Sequence, residues 1–465
     1  MSRMAFMVSE AQAMSLRALN YDPGVEALRS KRALLNTSPL SSFVKKMGAS
    51  YSQVFTRLDC DPEHGVELLS QSDMFAVEPR GRVIRRDSMP RPDEHAIQKW
   101  QVLIAGAGQM GEGNLFGKSI IADERLVGKY LGGDAVDLTF KNPGDDINLF
   151  AYAFINTRVG IRAVRSCAYG TSIPHMRLDL LGNLPIPIPG NDKIIGLVAR
   201  YIGAAVKQRE RYVQELLAAR EVIELLPEMK TALEMCGERR ARAVVWSGGL
   251  PTMSAWTFAS AGEALSYLSN RWSGRVADVV ESEAIFRGGR YARIPCEAPH
   301  GIELLSQRDV FFIRPMPRRI VSPPGGNDSL KVPEFSLLAG GQGTLGEGEL
   351  FGQVSLVTSD VAAAAVSEHL LRIQPGTDEN SAVLYAYLST KVGRRLLRTA
   401  GVGTKLLSLR PDLVRSLPMP DLDKPRRKKI LNHLIAACAA RTGAVESEAR
   451  AFELIETSVL PTWLA

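Results

Sequence analysis

The chain has 465 residues, 45% hydrophobic and 23% charged, which is ordinary for a globular protein and long enough for two or three domains. No apolar run approaches the ~20 residues that cross a bilayer, and the opening MSRMAFMVSEAQAM lacks the apolar core and cleavage pattern of a signal peptide. Five cysteines without a CxxC pair argue for a reduced, cytoplasmic protein, and a net charge of +7 suits a polyanionic partner, because Lys and Arg displace counterions from phosphates.

In chain order, residues 60–75 read CDPEHGVELLSQSDMF, and the short runs GVELL, MFAVEP, WQVLIA and SIIA predict strands broken by Gly, Pro and Asp. A glycine-rich stretch, AGAGQMGEGNLFG, occupies 105–117, and a helical piece follows over 149–165. The prolines of LPIPIPG (184–190) stop that structure, and a long amphipathic helix is predicted over 193–226. Its apolar positions include Ile194, Leu197, Val198, Tyr201, Ile202, Tyr212, Leu216 and Ile223, with Lys207, Arg209 and Glu210 on the other face.

The same series then recurs. CEAPHGIELLSQRDVF (296–311) answers the first block, with His64 and His300 236 positions apart. GIELL, VFFIRP, FSLLA and QVSLV predict strands again, AGGQGTLGEGELFG (339–352) answers the glycine run at an offset of 235, and 382–398 predicts the helical piece. Residues 403–420 answer 170–187 at an offset of 233, and LPMPDLD (417–423) leads into a second long helix over 429–454. Near-equal offsets in one order make the chain two copies of a unit of roughly 235 residues, too long for a solenoid repeat. Two similar domains related by a pseudo-two-fold axis are expected, with divergent loops between shared blocks. Each long helix, with little else to cover its apolar face, needs another helix, and the other copy supplies one. The faces around Tyr201, Tyr212, Leu216, Ile435 and Phe452 are expected to form the core between them.

Rival chemistries fit less well. Both glycine runs match G-x-G-x-x-G (Gly106, Gly108, Gly111; Gly341, Gly343, Gly346), with Asp123 and Asp360 downstream, so an enzyme with a nucleotide cofactor is the alternative reading. That fold needs a helix to begin inside the run, and the further glycines Gly113, Gly117, Gly348 and Gly352 would each cost it about 1 kcal/mol; a turn between strands fits better. A phosphate loop ending at Gly117–Lys118–Ser119 needs glycine where Glu112 stands. The duplicated Cys60/His64 and Cys296/His300, with Glu67 and Glu303, invite zinc, yet neither unit offers a second Cys/His pair, and a packed turn is the plainer reading. No nucleophile elbow is present, and a non-enzymatic scaffold for protein partners is a third class to set against the others.

Two strand-rich domains, each followed by a long helix, resemble the specificity subunit of type I restriction-modification systems over nearly the whole chain. The duplicated G-T-x(12)-L-P-x-P junctions, from Gly170 and Thr171 to Pro187 and from Gly403 and Thr404 to Pro420, carry the resemblance most, with the G-[VI]-E-L-L-S-Q-x-D and A-G-x-G-x-x-G-E blocks beside them. The resemblance implies an α+β fold: target-recognition domains at 1–189 and 241–420, and long spacer helices at 190–240 and 421–465 that pair as an antiparallel coiled coil. It implies a chain without catalytic residues or a cofactor of its own. Double-stranded DNA and two copies of an adenine-N6 methyltransferase subunit, which holds S-adenosylmethionine, would be its partners; a translocating nuclease subunit could join them, with no membrane involved. The adenine methyltransferase signature Asn/Asp-Pro-Pro-Tyr is absent here, so methylation would come from the partner. DNA contacts are expected in the divergent stretch at Arg80, Arg82, Arg85, Arg86 and Arg91, and in its counterpart at Arg314, Arg318 and Arg319, since arginine pairs with guanine edges or phosphates. Lys424, Arg426 and Arg427 crowd the start of the second long helix, where positive charge opposes the helix dipole and calls for something acidic.

Overall fold

The computed structural model describes residues 20–21, 25–26, 36–49, 55–111, 113–237, 260–324, 328–346 and 348–461. The domain boundary predicted at 240/241 lies outside the described residues. The chain divides into two compact units, Met1–Glu210 with Ala444–Ala465, and Arg211–Gly443. Both divisions fall within a long helix.

The strands of the first unit are β1 (Thr37–Pro39), β2 (Val44–Ala49), β3 (Gly65–Leu69), β4 (Arg82–Arg85), β5 (Val102–Ala105), β6 (Ser119–Ile121), β7 (Tyr130–Leu131), β8 (Ala135–Phe140), β9 (Ala168–Tyr169), β10 (His175–Met176) and β11 (Pro185–Pro187). An antiparallel sheet runs β2-β8-β5-β6, and a smaller one runs β4-β3-β7, with β3 and β7 parallel. β5 is buried on both faces, which is why its sequence is continuously apolar and not alternating.

The second unit contains β12 (Gly274–Arg275), β13 (Ile285–Arg287), β14 (Ile302–Leu305), β15 (Arg318–Ile320), β16 (Leu337–Gly340), β17 (Gln342–Gly343), β18 (Val354–Leu356), β19 (Ala365–Val366), β20 (Leu370–Ile373), β21 (Gly401–Val402), β22 (Leu407–Leu409) and β23 (Pro418–Met419). Its sheets run β13-β20-β16-β18 and β15-β14-β19, again with a parallel β14–β19 pair. Each unit also pairs a strand of the proline junction with an early strand, β1 with β11 and β12 with β23.

Two expectations about local elements change. MFAVEP and VFFIRP are not strands: the chain turns there through the 3-10 segments Asp73–Phe75 and Asp309–Phe311. The carboxylates of Asp73 and Asp309 accept hydrogen bonds from the N–H of Ser70 and Ser306 at 2.7 Å, offering the backbone a turn in place of a ladder. Each single helical piece is in fact two helices, Asp146–Asn156 with Arg158–Arg165, and Asp378–Leu388 with Lys391–Thr399. Thr157 and Thr390 break them by standing in extended backbone and accepting from the N–H of Gly160 (3.0 Å) and Gly393 (2.8 Å).

The first long helix spans Asp192–Glu224 and is followed by a separate helix at Pro227–Gly237. Proline lacks the N–H that a continuing helix needs and clashes with the preceding turn, so the rod ends before Pro227. The second spans Lys424–Ser458. In the first unit Val198, Ile202 and Val206 share a core with Ala451, Ile455 and Val459. In the second unit the Tyr212 hydroxyl accepts from Arg441 (3.3 Å), and His433 Nδ1 lies 2.7 Å from Glu215. Tyr212 and Leu216 are buried as expected, whereas Ile435 is 50% exposed, because the buried stripe runs through its neighbours Leu434 and Ala437. Arg209, read as part of the polar face, is 2% exposed and ion-paired with Glu448. Among the described residues no helix is long and apolar enough to cross a membrane.

Candidate nucleic-acid interface

The divergent stretch of each unit is the β3–β4 or β14–β15 hairpin. Each hairpin starts on a glycine that could not be otherwise: a Cβ on Gly65 would stand 2.6 Å from Cys60 Sγ and 2.9 Å from the Ile84 carbonyl. On Gly301, which has φ +73°, it would stand 2.4 Å from Cys296 Sγ and 2.1 Å from the Ile320 carbonyl. The duplicated Cys-x3-His-Gly is therefore a packed turn over the strand. Glu67 and Glu303 are ion-paired to Lys129 and Arg319. Among the described residues no group of three or more His, Cys, Asp or Glu side chains is placed to hold a metal.

The five arginines of the first hairpin all lie on it or just beyond it, and each meets a carboxylate. Arg82 grips Asp59 at two points (2.5 and 2.8 Å), Arg85 and Arg86 pair with Asp87 and Asp93, Arg80 lies 2.7 Å from Glu78, and Arg91 lies 3.1 Å from Glu94. Hydrogen bonds from Arg82 and Arg85 hold the carboxyls of Asp59 and Asp87 below the usual aspartate range. Arg85 and Arg86 line an open cleft of about 670 Å³ with Cys60, His64, Asp87, Met89 and Pro92. Exposed pairs of this kind are screened by water and salt and exchange partners easily, so a phosphate can take the carboxylate's place.

Strand register makes the two hairpins comparable residue by residue. Val66 faces Ile84 and Ile302 faces Ile320, so Arg82 corresponds to Arg318, Val83 to Arg319, Arg85 to Val321 and Arg86 to Ser322. Arg318 is exposed; Arg319 reaches Glu303 at 3.1 Å and the His300 carbonyl at 3.4 Å; Arg314 is half-buried. The cluster at the second long helix sits on a different element. Lys424 is exposed, Arg426 donates its backbone N–H to Asp423 (2.9 Å), and Arg427 binds Glu379 (2.5 Å) and Asn380 (2.7 Å) at the start of another helix. Acidic groups of the chain itself thus offset part of the charge that opposes the helix dipole.

Reasoning from sequence missed how the shared blocks meet. The glycine run joins the antiparallel strands β5 and β6, so it has no helix N-terminus on which a dinucleotide pyrophosphate could sit. It is clamped from two sides. The Gln71 side chain donates to the Ala107 carbonyl (2.7 Å) and accepts from its N–H (3.3 Å), and Gln307 does the same with Gln342 (2.8 and 3.4 Å). Arg165 donates to the carbonyls of Phe116 (2.9 Å) and Asn114 (3.2 Å), and Arg398 to those of Phe351 (2.9 Å) and Gly346 (2.7 Å). The Gly-Thr junction closes the group: Gly108 donates to Pro174 (3.0 Å) in one unit, and Leu409 to Gly341 (3.0 Å) in the other. The three motifs that recur in sequence form one structural knot in each unit. Their signal was the repetition itself.

No family model matches the chain, and no curated protein does. Among solved structures it is similar to the S subunit of a type I restriction-modification system from M. genitalium, at 12% identity over 92% of this chain and 94% of that one, with a TM-score of 0.31. It is also similar to the HsdS subunit from Thermoanaerobacter tengcongensis, at 15% identity over 92% and 96%, TM-score 0.25. A third likeness, at 15% identity over 92% and 97% and TM-score 0.27, comes from a study of complex assembly and conformational transition in the type I R-M system.

Proposed function

We propose that this chain is a non-catalytic reader of DNA sequence, and more particularly the specificity subunit of a type I restriction-modification system. The observation that carries the proposal is the pair of units with one strand order and one knot of shared motifs, differing at the arginines of equivalent hairpins. A bipartite DNA site asks for that: the same scaffold twice, with different side chains at the reading surface. The two long helices, pairing antiparallel as a coiled coil, would act as the ruler between half-sites. At 1.5 Å per residue, helices of 33 and 35 residues make rods of roughly 50 Å.

The comparison of the hairpins divides the labour. A residue present at the same position in both units suits what any two half-sites have in common, the phosphate backbone; one that differs can discriminate bases. Arg82 and Arg318 are thus phosphate contacts, and Arg85, Arg86 and Arg319 are base readers. Arg80 and Arg91 by the first hairpin and Arg314 by the second add positive field there, and Lys424, Arg426 and Arg427 add it at the start of the second long helix. Methylation would come from two copies of an adenine-N6 methyltransferase subunit holding S-adenosylmethionine, in the cytoplasm, as part of defence against phage, with a nuclease subunit where the system also restricts.

Single-molecule methylome sequencing of cells carrying this gene and its neighbouring methyltransferase gene, with and without this chain, tests the proposal. A split motif of fixed gap that vanishes with the chain is the expected result. An unchanged pattern of modified bases would overturn it.

A further inference from the structure

Both long helices bury arginine: Arg209 and, farther along, Arg220 (7% exposed) on the first, and Arg441 on the second. Arg209 is 2% exposed and Arg441 1% exposed, and they are 232 positions apart. The buried positions Val198, Ile202, Ala205 and Arg209 answer Ile430, Leu434, Ala437 and Arg441 at the same interval, so the two arginines hold equivalent places on their helices. In the first unit Arg209 pairs with Glu448 of the second long helix, itself 2% exposed, and the Tyr152 hydroxyl donates to the same carboxylate (3.0 Å). In the second unit Arg441 lies 3.1 Å from Asp360 and donates to the hydroxyl of Tyr212, on the first long helix (3.3 Å).

In the second unit His433 and Glu215 also meet across the two helices (2.7 Å), and the first unit's seam is otherwise mainly aliphatic, with Val198, Ile202, Ala205 and Val206 against Ala451, Ile455 and Val459 and with Tyr201 and Phe452 at its edge. Small aliphatic side chains pack nearly as well one turn out of step. A slide of four residues would bring Ala444 or Phe452 opposite Arg209 in place of Glu448. Both charges would then be buried without partners, the most unfavourable arrangement a protein interior offers. A single buried polar position in a coiled coil selects register at a cost in stability by the same physics.

We propose that the buried arginine sites, Arg209 with Glu448 and Arg441 with Asp360 and Tyr212, lock the sliding register of the two long helices and so fix the gap between the two DNA half-sites. The second clause rests on the reading of the chain as a specificity subunit. These are positioning residues: they would set spacing without touching DNA. A one-turn slide moves one helix along the other by about 5.4 Å, equivalent to between one and two base pairs at roughly 3.4 Å each.

The test is the paired variant Arg209→Met with Glu448→Met in the full chain, which removes both charges together and keeps the volume. Spin labels at the exposed positions Arg200 and Glu453 read register by electron–electron distance. In parallel, methylome sequencing reads the gap. The native chain gives one distance and one gap; the paired variant gives a second, resolved distance and a second gap at tenfold or more above its native frequency. A single, unshifted distance in a folded paired variant overturns the lock. A split distance with no split motif from the native chain keeps the lock and overturns the specificity-subunit reading. If the first pair does not fold, Arg441→Met with Asp360→Leu, labelled at Gln214 and Lys429, carries the same measurement with the same outcomes.

Discussion

Every arginine of the first hairpin is held by a carboxylate, and that bears on how it could bind DNA. A guanidinium already paired loses little on exchanging one exposed anion for another, and the released aspartate is repelled by the phosphates nearby. Binding by the assembled complex should therefore be steeply salt-dependent. Arg82→Ala is expected to weaken binding to all sequences alike and to lower the salt slope by about 1, whereas Arg85→Ala with Arg86→Ala should cost tenfold or more on the cognate site and little on a mismatched one. Titrations across a salt series separate the two; equal losses on both sites for both variants would contradict the assignment. Asp360 gives a second test. Burial alone would raise its carboxyl, but Arg441 and the Thr358 hydroxyl outweigh that and hold it below the ordinary 3.8. Since the folded value is the lower one, its stabilisation is complete above about pH 4 and is lost as pH falls through the depressed value. The melting temperature of the native protein should exceed that of Asp360→Asn at pH 7, and the difference should shrink below pH 4.

At the scale of elements, the two paired-helix breaks are the clearest constraint. A Cβ on Gly160 would stand 1.9 Å from the Phe154 carbonyl, and on Gly393 2.1 Å from the Tyr387 carbonyl. Backbone cannot move aside as a side chain can, so Gly160→Ala and Gly393→Ala should each destabilise their unit by roughly 1–3 kcal/mol in denaturant melts. The glycines therefore recur with the threonines before them for a local reason: Thr stops one helix and caps the next, and Gly lets the second approach the end of the first. The glycine run has a similar explanation. It is a hairpin turn gripped by Gln71 and Arg165, or by Gln307 and Arg398, and its composition serves close backbone approach, with no cofactor required.

For the whole molecule, the ruler reading predicts an outcome of length. Inserting one heptad into both long helices should add about 10 Å of rod, or roughly three base pairs, to the gap of the methylated motif. Methylome sequencing of the lengthened chain reads the change, and an unaltered gap would contradict a spacer role for the helices. The strand order of the main sheets recurs in both units, and both unit divisions fall within long helices.

Much of this was legible in the residues alone. The duplication, the two strand-rich stretches and the two long helices all follow from periodicity and equal offsets, because these are properties of residues near one another in the chain. Tertiary structure decided what depends on distant partners. Arg209 looks like an exposed helix residue until Glu448 is found opposite it; MFAVEP looks like a strand until Asp73 turns the chain before it; Gln71 looks unremarkable until it closes on Ala107. Local pattern reports which face of an element is apolar, but whether a charge is buried depends on a carboxylate more than two hundred residues away, and only the fold brings the two together.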